Sequence, residues 1–576
     1  MKVFYKSFAV MALIGASVTA LHAAKYVDSP PLTQVVKAQV IPVREGGATQ
    51  LPIITWGGDI ATILANGSSV TTAPRSLFDV QGLKFSLKRE DVFTEQLKSY
   101  IRGESPYLRC TLGMLNQAAE LLQDPRVKPI VVGQLTYSVG GDVLVVKSDV
   151  KTLADLKGKT IVLQAYGPHV DFLTLTLANA GVALSDVSIK WTKDLTGTDD
   201  SPAAALRSDP TISAAFVISP DAAELTSNGA VGTGAEKSVK GARTIFSTKT
   251  ASRIIVDVYA VRSDYFQAHR PEVEKFVHVL LMAQEQLATL MRDSNTRKTE
   301  FNQLMSASGK ILLDSEQAVA DVKGLYGDCE YVGYVGNVNT FANPTFSRRF
   351  AVLQDEIQAG LIGLGLLSSK VAIETAGLDY DALKQGLTQT AVVTVPKFQT
   401  DAVAKVVAQR AEQGSLKDNE LFSFEIFFKP NQSSFAPEMY AQQFDEVLKR
   451  AAIYAGAVIT VEGHADPMPY CDKKAKGESQ LVLSKIKQSA VNLSLNRAAQ
   501  VREALISYAK AKGSVLDASQ FTTIGHGISD PKTGMRNGEP IRPKTPEEWA
   551  SNMRCEFRII NIEAEASAFT AEGSGQ

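Results

Sequence analysis

Cysteine is scarce in this chain, and that scarcity excludes a disulfide-rich scaffold. The 576 residues contain four cysteines, Cys110, Cys329, Cys471 and Cys555. Their spacing lacks the C-x-x-C pattern typical of metal sites. An exported protein meets an oxidising compartment, so Cys110–Cys329 and Cys471–Cys555 are candidate bridges. The alternative is that the cysteines are buried free thiols.

An excess of charge of one sign is also missing. Sixty basic and 61 acidic residues leave a formal net charge of −1, so no bulk field recruits nucleic acid or an anionic membrane.

Catalytic signatures are equally absent: Ser138 has no G-x-S-x-G context, and the six histidines form no H-E-x-x-H. We therefore expect no catalytic residue, no cofactor, no metal ligand and no nucleic-acid partner. An envelope enzyme is one alternative function for the chain. It would require acid–base groups that converge in the fold, and the sequence does not reveal them.

Long hydrophobic runs are confined to the N-terminus. Lys2 and Lys6 precede an uncharged apolar stretch over residues 7–20, which is followed by small residues at Ala23 and Ala24. This pattern is typical of a signal peptide over residues 1–24. The alternative is an uncleaved anchor, because the run approaches the length that spans a bilayer. No later segment reaches about 20 apolar residues.

The chain then divides into segments of different pattern. Residues 25–50 are predicted to be a linker. From residue 51 to residue 389, short apolar strands alternate with amphipathic helices, which favours an α/β architecture with mostly parallel sheets. A second linker is expected over 390–420, a smaller α+β domain over 421–563, and a disordered tail over 564–576.

The larger domain resembles the type II periplasmic solute-binding proteins that serve taurine, sulfonate, nitrate and thiamine-precursor importers. The resemblance lies in VKTLADLKGKTIVLQ, residues 150–164, and in FVISPDA, residues 216–222. It implies two α/β lobes that close around one small molecule at a hinge. It also implies an ABC permease or another envelope complex as a partner.

Loops that follow strand-like runs are the candidate ligand site of this domain. Ligands of open α/β sheets bind beyond the carboxyl ends of strands, where helix N-termini suit anions. We therefore expect a small anionic ligand, although each loop alone is also compatible with an ordinary turn. The candidate residues are Trp56, Gly58, Asp59, Tyr137, Ser138, Tyr166, His169, Asp221 and Arg253.

The C-terminal part resembles the OmpA-like peptidoglycan-binding domain. The matching runs are VITVEGHAD, ending at Asp466, LSLNRAAQVREAL, a helix predicted from Leu493, and NMRCEFRI near the end of the chain. The resemblance implies that Asp466 and Arg497 hold the zwitterionic end of a diaminopimelate side chain, with Arg554 near the ligand. An insertion after Asp466 and alanine at position 490 depart from the family pattern.

Together these features predict an exported receptor for a small anionic molecule. An OmpA-like domain would tether it to peptidoglycan in the periplasm, in association with the outer membrane. The alternative is an envelope structural or interaction protein whose receptor fold docks a protein partner. A filled, dry lobe interface favours this alternative, whereas an open cleft lined by Trp56, Tyr137 and Tyr166 favours the receptor.

Overall fold

The computed structural model describes residues 25–228, 231–235, 237–391, 398–413, 415–416, 420–512 and 516–561. The predicted signal peptide and the predicted disordered tail lie outside the described residues. Within the described ranges, no helix is both long and apolar enough to cross a bilayer.

The first lobe contains the early part of the described chain and is completed by residues that follow the second lobe. Its first elements are α1 (Leu32–Val35), β1 (Thr49–Ile53), α2 (Ile60–Ala65), α3 (Leu77–Val80), β2 (Phe85–Arg89), α4 (Phe93–Ile101), β3 (Tyr107–Thr111), α5 (Leu112–Gln117) and β4 (Pro129–Ser138). Strands β3 and β4 are buried along almost their whole length. Because both of their faces are covered, neither strand shows the apolar–polar alternation of a half-buried strand, and polar residues such as Arg109 and Gln134 are buried along with the apolar ones.

The second lobe follows without interruption. Its elements are β5 (Asp142–Val146), β6 (Thr160–Gln164), α6 (His169–Asn179), β7 (Ser188–Thr192), α7 (Pro202–Ser208), β8 (Ala214–Ile218), α8 (Ser219–Leu225) and β9 (Arg243–Ser247). They form a five-stranded sheet of order β7-β6-β8-β5-β9. Strands β6, β7 and β8 are parallel, and β5 and β9 are antiparallel to their neighbours.

The chain returns to the first lobe through β10 (Val256–Arg262) and continues mainly as helices. The remaining elements are α9 (Ser263–Arg292), α10 (Lys298–Leu313), α11 (Val319–Gly327), β11 (Cys329–Tyr331), α12 (Gly333–Phe341), α13 (Phe350–Gly363), β12 (Glu374–Thr375) and α14 (Tyr380–Leu383). The first-lobe sheet has the order β11-β4-β10-β3, with β12 beside β4. Its pairs are antiparallel apart from β12, so the expectation of mostly parallel sheets is wrong for this sheet.

Two segments inside the chain cross directly from one lobe sheet to the other, residues 139–141 and residues 248–255. They lie side by side, because the Thr248 hydroxyl accepts the Gly140 N–H at 2.9 Å and lies 2.8 Å from the Ser138 hydroxyl. The two-lobed α/β fold predicted from the sequence is thereby confirmed.

The smaller C-terminal domain has an α+β layout. Its elements are α15 (Thr400–Glu412), β13 (Glu420–Phe427), α16 (Ala441–Ile453), β14 (Val458–His464), α17 (Met468–Ala475), α18 (Gln480–Ala511), β15 (Phe521–Gly527), β16 (Met535–Arg536), β17 (Glu539–Pro540), α19 (Pro546–Ser551) and β18 (Arg554–Ile560). The four-stranded sheet has the order β13-β18-β14-β15. Helices α16 and α18 cover one face through Phe444, Val501 and Leu505.

Both predicted linkers contain packed structure. In the first, the Tyr26 hydroxyl donates to Asp209 at 2.6 Å and Val27 bridges to Trp191, so this segment lies along the second lobe. In the second, α15 buries Val403 and Val407 against the C-terminal sheet. The segment between residues 392 and 397 lies outside the described residues.

All four cysteines are free thiols, so neither candidate bridge is present. Cys110 is on β3 and Cys329 is on β11, at opposite edges of one sheet. Two intervening strands separate them by roughly 14 Å, at about 4.8 Å per strand. A disulfide requires Cα atoms within about 7 Å.

The C-terminal domain contacts the second crossing segment directly. The Gly456 N–H donates to the Thr250 carbonyl at 3.1 Å, and the Thr250 hydroxyl donates to Asn561 at 3.0 Å. Tyr454 packs edge-on against Phe246 at 6.0 Å between ring centroids. The hinge of the two lobes is therefore held on one side by the C-terminal domain.

Candidate functional site

A cluster of acidic side chains lies where the two lobes meet. Asp142 begins β5, and its carboxylate lies 2.7 Å from Nε2 of His169, the first residue of α6. Asp171 lies in the same turn, Asp221 in the first turn of α8, and Asp328 just before β11. We call Asp142, His169, Asp171, Asp221 and Asp328 the interlobe acidic cluster. Four of the five come from the second lobe, at the ends of strands, as expected for a ligand site in such sheets.

Asp171 is the most unusual member of this cluster. Its side chain is 1% exposed, and neither carboxylate oxygen has a hydrogen-bond partner. It packs against the first lobe so closely that a Cβ at Gly113 would fall 2.5 Å from its carboxyl carbon. Burial, together with the nearby charge of Asp142, raises the pKa of Asp171 to about 7. The site thus holds a buried carboxyl group without a partner.

Other polar atoms of the cluster also lack partners. Nδ1 of His169 and Oδ2 of Asp221 are buried and without hydrogen bonds. Burial raises the pKa of Asp221, and burial together with the charge of Asp142 raises the pKa of Asp328 to about 6. Buried polar groups are normally paired, so this cluster is poised to receive hydrogen-bond donors or positive charge.

Residues 325–331 of the chain itself lie across the mouth of the lobe interface, and we call them the plug segment. The Asp328 carbonyl accepts the Val139 N–H at 2.8 Å, while its carboxylate accepts the Ser219 hydroxyl at 2.7 Å. The Tyr331 hydroxyl donates to the Gly57 carbonyl at 2.5 Å. Asp328 therefore contacts both a crossing segment and the second lobe.

The plug segment leaves little space. A Cβ at Gly57 would fall 2.0 Å from the Leu325 carbonyl oxygen, so only glycine permits this approach. Two small cavities in the part of the chain that the structure describes each hold about 10 Å³. Neither is lined by the interlobe acidic cluster. Each is large enough for about one water molecule.

Four predicted residues lie around the crossing segments and the cluster: Trp56, Gly58, Ser138 and His169. The Trp56 indole N–H donates to Thr136 at 3.1 Å, and a Cβ at Gly141 would fall 2.5 Å from its ring. Gly58 lies directly behind this ring. Trp56 therefore packs against the first crossing rather than lining an open cleft.

Asp59, also predicted, belongs to a buried ion-pair triad inside the first lobe. Arg109 contacts Asp59 at 3.0 Å and Asp257 at 2.8 Å, and Asp59 and Arg109 are fully buried. Burial raises the pKa of Asp59 to about 6 despite the charge of Arg109. Sequence reasoning missed Arg109, because its partners lie 50 and 148 positions away along the chain.

Three further predicted residues already have partners within the chain. Arg253 stacks on the Tyr137 ring at 4.5 Å and pairs with Glu330 of the plug segment at 2.6 Å. Tyr166 takes a left-handed backbone conformation, with φ of 58°, and its hydroxyl donates to the Pro30 carbonyl at 2.6 Å. These side chains hold the plug and the N-terminal segment in place.

In the C-terminal domain, Arg497 is buried and is used by the fold. Its guanidinium donates to the carbonyls of Gln432, His464 and Lys429 at 2.9, 2.9 and 3.4 Å, and it lies 5.0 Å from the centre of the Phe428 ring. Helix α18 begins at Gln480, so Arg497 lies within the helix rather than at its start. No proline or glycine occurs between Gln480 and Ala511 to end the helix earlier.

Asp466 lies next to this arginine in the fold but does not form an ion pair with it. One carboxylate oxygen accepts the Met468 N–H at 3.0 Å, and the other accepts the indole N–H of Trp549. Partial burial raises the pKa of Asp466. Trp549 belongs to the long segment between β15 and β18, so this segment covers the candidate wall-binding aspartate.

Arg554 lies on the other face of the sheet. Its neighbour Cys555 points toward the core shared with α18, and side chains alternate between faces along a strand. Arg554 pairs with Glu556 at 2.6 Å. It therefore lies on the face opposite the helix that carries Arg497.

Comparisons with known proteins find likenesses of structure alone. A scan of protein families and a search of curated proteins each give no match. Among solved structures, the periplasmic aliphatic sulphonate-binding protein of Escherichia coli is 15% identical, with 62% of this chain and 97% of that chain covered and a TM-score of 0.41. The alkanesulfonate-binding protein of Xanthomonas axonopodis pv. citri, bound to MOPS, is 17% identical over 57% and 98%, with a TM-score of 0.39. A desulfurization enzyme is 16% identical, with 56% of this chain and 95% of that chain covered and a TM-score of 0.33.

Proposed function

We propose that this chain is a solute receptor of the cell envelope, in which the two lobes close over a small molecule at the interlobe acidic cluster. The C-terminal domain would tie the receptor to peptidoglycan. Export by the N-terminal segment, a periplasmic location and an ABC permease or another envelope complex as partner belong to the same proposal. Binding rather than catalysis is the expected activity.

The unpartnered carboxyl group of Asp171 carries the proposal. It is buried at the meeting of both lobes and has no hydrogen-bond partner. A buried charge without a partner costs stability, and natural proteins keep such costs chiefly where function needs them. A bound molecule that pairs with Asp171 would recover this cost and would bridge the lobes.

The charges of the cluster favour a ligand with a positive group over the anion expected from the sequence. Four carboxyl groups surround one histidine there, and the nearby guanidinium of Arg253 is already paired with Glu330. An added anion would meet like charges in a poorly solvated interface. A primary amine or a guanidine would instead donate hydrogen bonds to Asp171 and Asp221.

A thermal-shift screen of the full chain tests this proposal. We expect small amines and guanidines to raise the melting temperature, because binding to the folded state adds RT ln(1 + [L]/Kd), about 2.7 kcal/mol at a hundredfold excess over Kd. Asp171→Asn should lose the response, whereas Asp199→Asn, at an exposed position of the same lobe, should keep it. A response to sulfonates or carboxylates and not to amines would overturn the charge argument.

The plug segment favours a second candidate function, that of an envelope interaction protein. It fills the lobe interface with the chain's own groups and joins both lobes through Asp328. In this alternative the lobes form a fixed body that docks a protein partner. Hydrogen exchange at the Val139 amide separates the two cases: a receptor must release it as the lobes open, whereas a fixed interface protects it as strongly as the core.

Wall binding is proposed from the position of Asp466 at the end of the central strand β14. Its carboxylate would pair with the ammonium group of the wall peptide, and Trp549 would turn aside or share the site. Arg497 is enclosed by three backbone carbonyls. We therefore propose that Arg497 contributes by shaping the loop and, once that loop opens, by reaching the ligand carboxylate.

Retention on purified peptidoglycan should fall by more than tenfold in Asp466→Ala. Removing one partner of a desolvated charge pair costs about 2–5 kcal/mol, and tenfold corresponds to about 1.4 kcal/mol. Asp472→Ala is the matched control, because Asp472 lies six positions away and pairs with exposed Arg542. Unchanged retention in Asp466→Ala would mean that the domain docks a protein rather than the wall.

A further inference from the structure

The polar face of the C-terminal sheet brings two distant histidines together. His464 ends β14 and His526 lies near the end of the neighbouring parallel strand β15. Their rings stack with centroids 4.9 Å apart and planes 20° from parallel. Glu462 and Glu556 lie on the same face, opposite each other on β14 and β18. The helix that carries Arg497 packs on the opposite face of the sheet.

The donor atoms of these side chains converge. Nε2 of His526 lies 3.1 Å from one oxygen of Glu462, and Nε2 of His464 lies 3.9 Å from one oxygen of Glu556. One donor atom each from Glu462, His464 and His526 lie within 4.8 Å of one another. Small movements would bring all three to the roughly 2.0–2.2 Å at which Zn²⁺ holds imidazole and carboxylate ligands.

His464 is held in the form that binds metal. Its Nδ1 lies 2.9 Å from the Asp530 carbonyl, so Nδ1 carries the proton and Nε2 presents a lone pair. That Nε2 is buried and has no hydrogen-bond partner, and the residue is fully buried. Metal-binding histidines usually donate a hydrogen bond from the ring nitrogen that does not bind the metal, and this bond fixes the orientation of the ring.

The carboxylate of Glu462 is also held in place by hydrogen bonds. One of its oxygens accepts the Thr460 hydroxyl at 2.9 Å and the Arg558 guanidinium at 3.0 Å. This leaves the other oxygen facing His526. The carboxylate is therefore fixed by one oxygen and available for a cation through the other.

The local charge also leaves room for a divalent cation. Arg554 and Arg558 lie on this face, yet each is already paired with a carboxylate. With both histidines neutral, the five acidic and three basic side chains of the ion-pair network carry a net charge of −2. They are Glu420, Glu425, Glu462, Asp530 and Glu556 against Lys532, Arg554 and Arg558.

We propose that this face binds one divalent transition-metal ion, of which Zn²⁺ is the best fit, through Nε2 of His464, Nε2 of His526 and one oxygen of Glu462. Two imidazoles and a carboxylate form a borderline donor set that suits Zn²⁺ better than Mg²⁺ or Ca²⁺. Glu556 is within reach as a fourth ligand. Binding replaces the contact between His526 and Glu462, and in a neutral His526 ring the proton moves from Nε2 to Nδ1, so it stays on the ring as the metal enters.

Metal titration of the full chain without a polyhistidine tag tests the proposal. After dialysis against EDTA and then against metal-free buffer, isothermal titration with Zn²⁺ should show one site that binds one ion per chain. Co²⁺ in the same site should show the visible absorption of a four-coordinate ion. Mg²⁺ should give no heat at this site.

Substitution of the ligands separates this site from adventitious binding. His464→Gln and His526→Gln should each weaken Zn²⁺ binding by more than the 10–100-fold typical of outer-shell changes. His278→Gln is the control, because His278 lies on α9, far from this sheet in the chain, and contacts the Gln385 carbonyl. Melting in EDTA verifies that each variant is folded. The proposal is overturned if folded wild type retains no Zn²⁺, or if both ligand variants bind it as tightly as wild type.

Discussion

Asp171→Asn is expected to make the chain more stable at pH 8 by about 2–4 kcal/mol. The pKa of Asp171 rises from 3.8 to about 7 in the folded chain, and each pKa unit corresponds to about 1.4 kcal/mol. Because the folded pKa lies above the unfolded one, the native chain binds the extra proton between these values, and stability falls as pH rises from about 4 to about 7. Asparagine removes this loss, since it carries no charge at any of these pH values.

Urea unfolding of wild type and Asp171→Asn across pH 4 to 8 measures this effect. The two curves should coincide near pH 4 and separate steadily toward pH 8, with the variant more stable. Asp199→Asn, at an exposed position in the same lobe, should follow wild type throughout. A variant that is equally stable or less stable at pH 8 would show that Asp171 has a partner in the folded chain.

Arg109→Met is expected to destabilise the first lobe by about 3–5 kcal/mol. The change leaves Asp59 and Asp257 buried beside each other without their shared cation, and breaking a buried ion pair from one side costs about this much. Combining Arg109→Met with Asp59→Asn and Asp257→Asn should recover most of the loss, because no unpaired charge then remains.

Denaturant midpoints of the three proteins provide the measurement. Arg126→Met is the matched control, because Arg126 pairs with Asp124 at the exposed surface, where such pairs contribute about 0–1 kcal/mol. If Arg109→Met unfolds at the same denaturant midpoint as the Arg126→Met control, the buried triad does not stabilise the first lobe. A triple variant less stable than Arg109→Met alone would contradict the electrostatic reason.

The periodic parts of the fold could be predicted from the sequence. Runs such as DVLVV at β5 and the long amphipathic helix α9 carry their own pattern, and the two-lobed fold follows from their alternation. Element boundaries were less predictable. Helix α18 begins at Gln480 instead of Leu493, because the inserted residues also favour helix. Helix α9 extends past Pro271 through a kink at His269.

The candidate ligand site could be predicted only by its place in the fold. Two of the predicted residues, His169 and Asp221, belong to the interlobe acidic cluster, whereas Asp59 pairs with Arg109 inside the first lobe and Tyr166 contacts the N-terminal segment. The sequence could not reveal Arg109 as the partner of Asp59, or the plug segment as the cover of the interface. Both depend on pairings between residues far apart in the chain, which local periodicity does not encode.

The same reasoning applies to the C-terminal domain. The strand ending at Asp466 and the helix carrying Arg497 follow the predicted order. The coverage of Asp466 by Trp549 and the meeting of His464 with His526 arise from the segment after β15 and from strand pairing. Neither histidine stands at a metal-site spacing in the sequence, which is why no metal ligand was predicted.

The mass of the intact chain under native conditions tests the central claim most directly. The full chain, isolated from its own cell envelope without denaturation, should carry a small molecule with a basic group, seen as a discrete mass increment. Asp171→Asn prepared in parallel should show the bare polypeptide, while Asp199→Asn should keep the increment. A bare polypeptide mass for wild type, together with the same mass for both variants, would contradict the receptor and leave the filled interface as a fixed part of the fold.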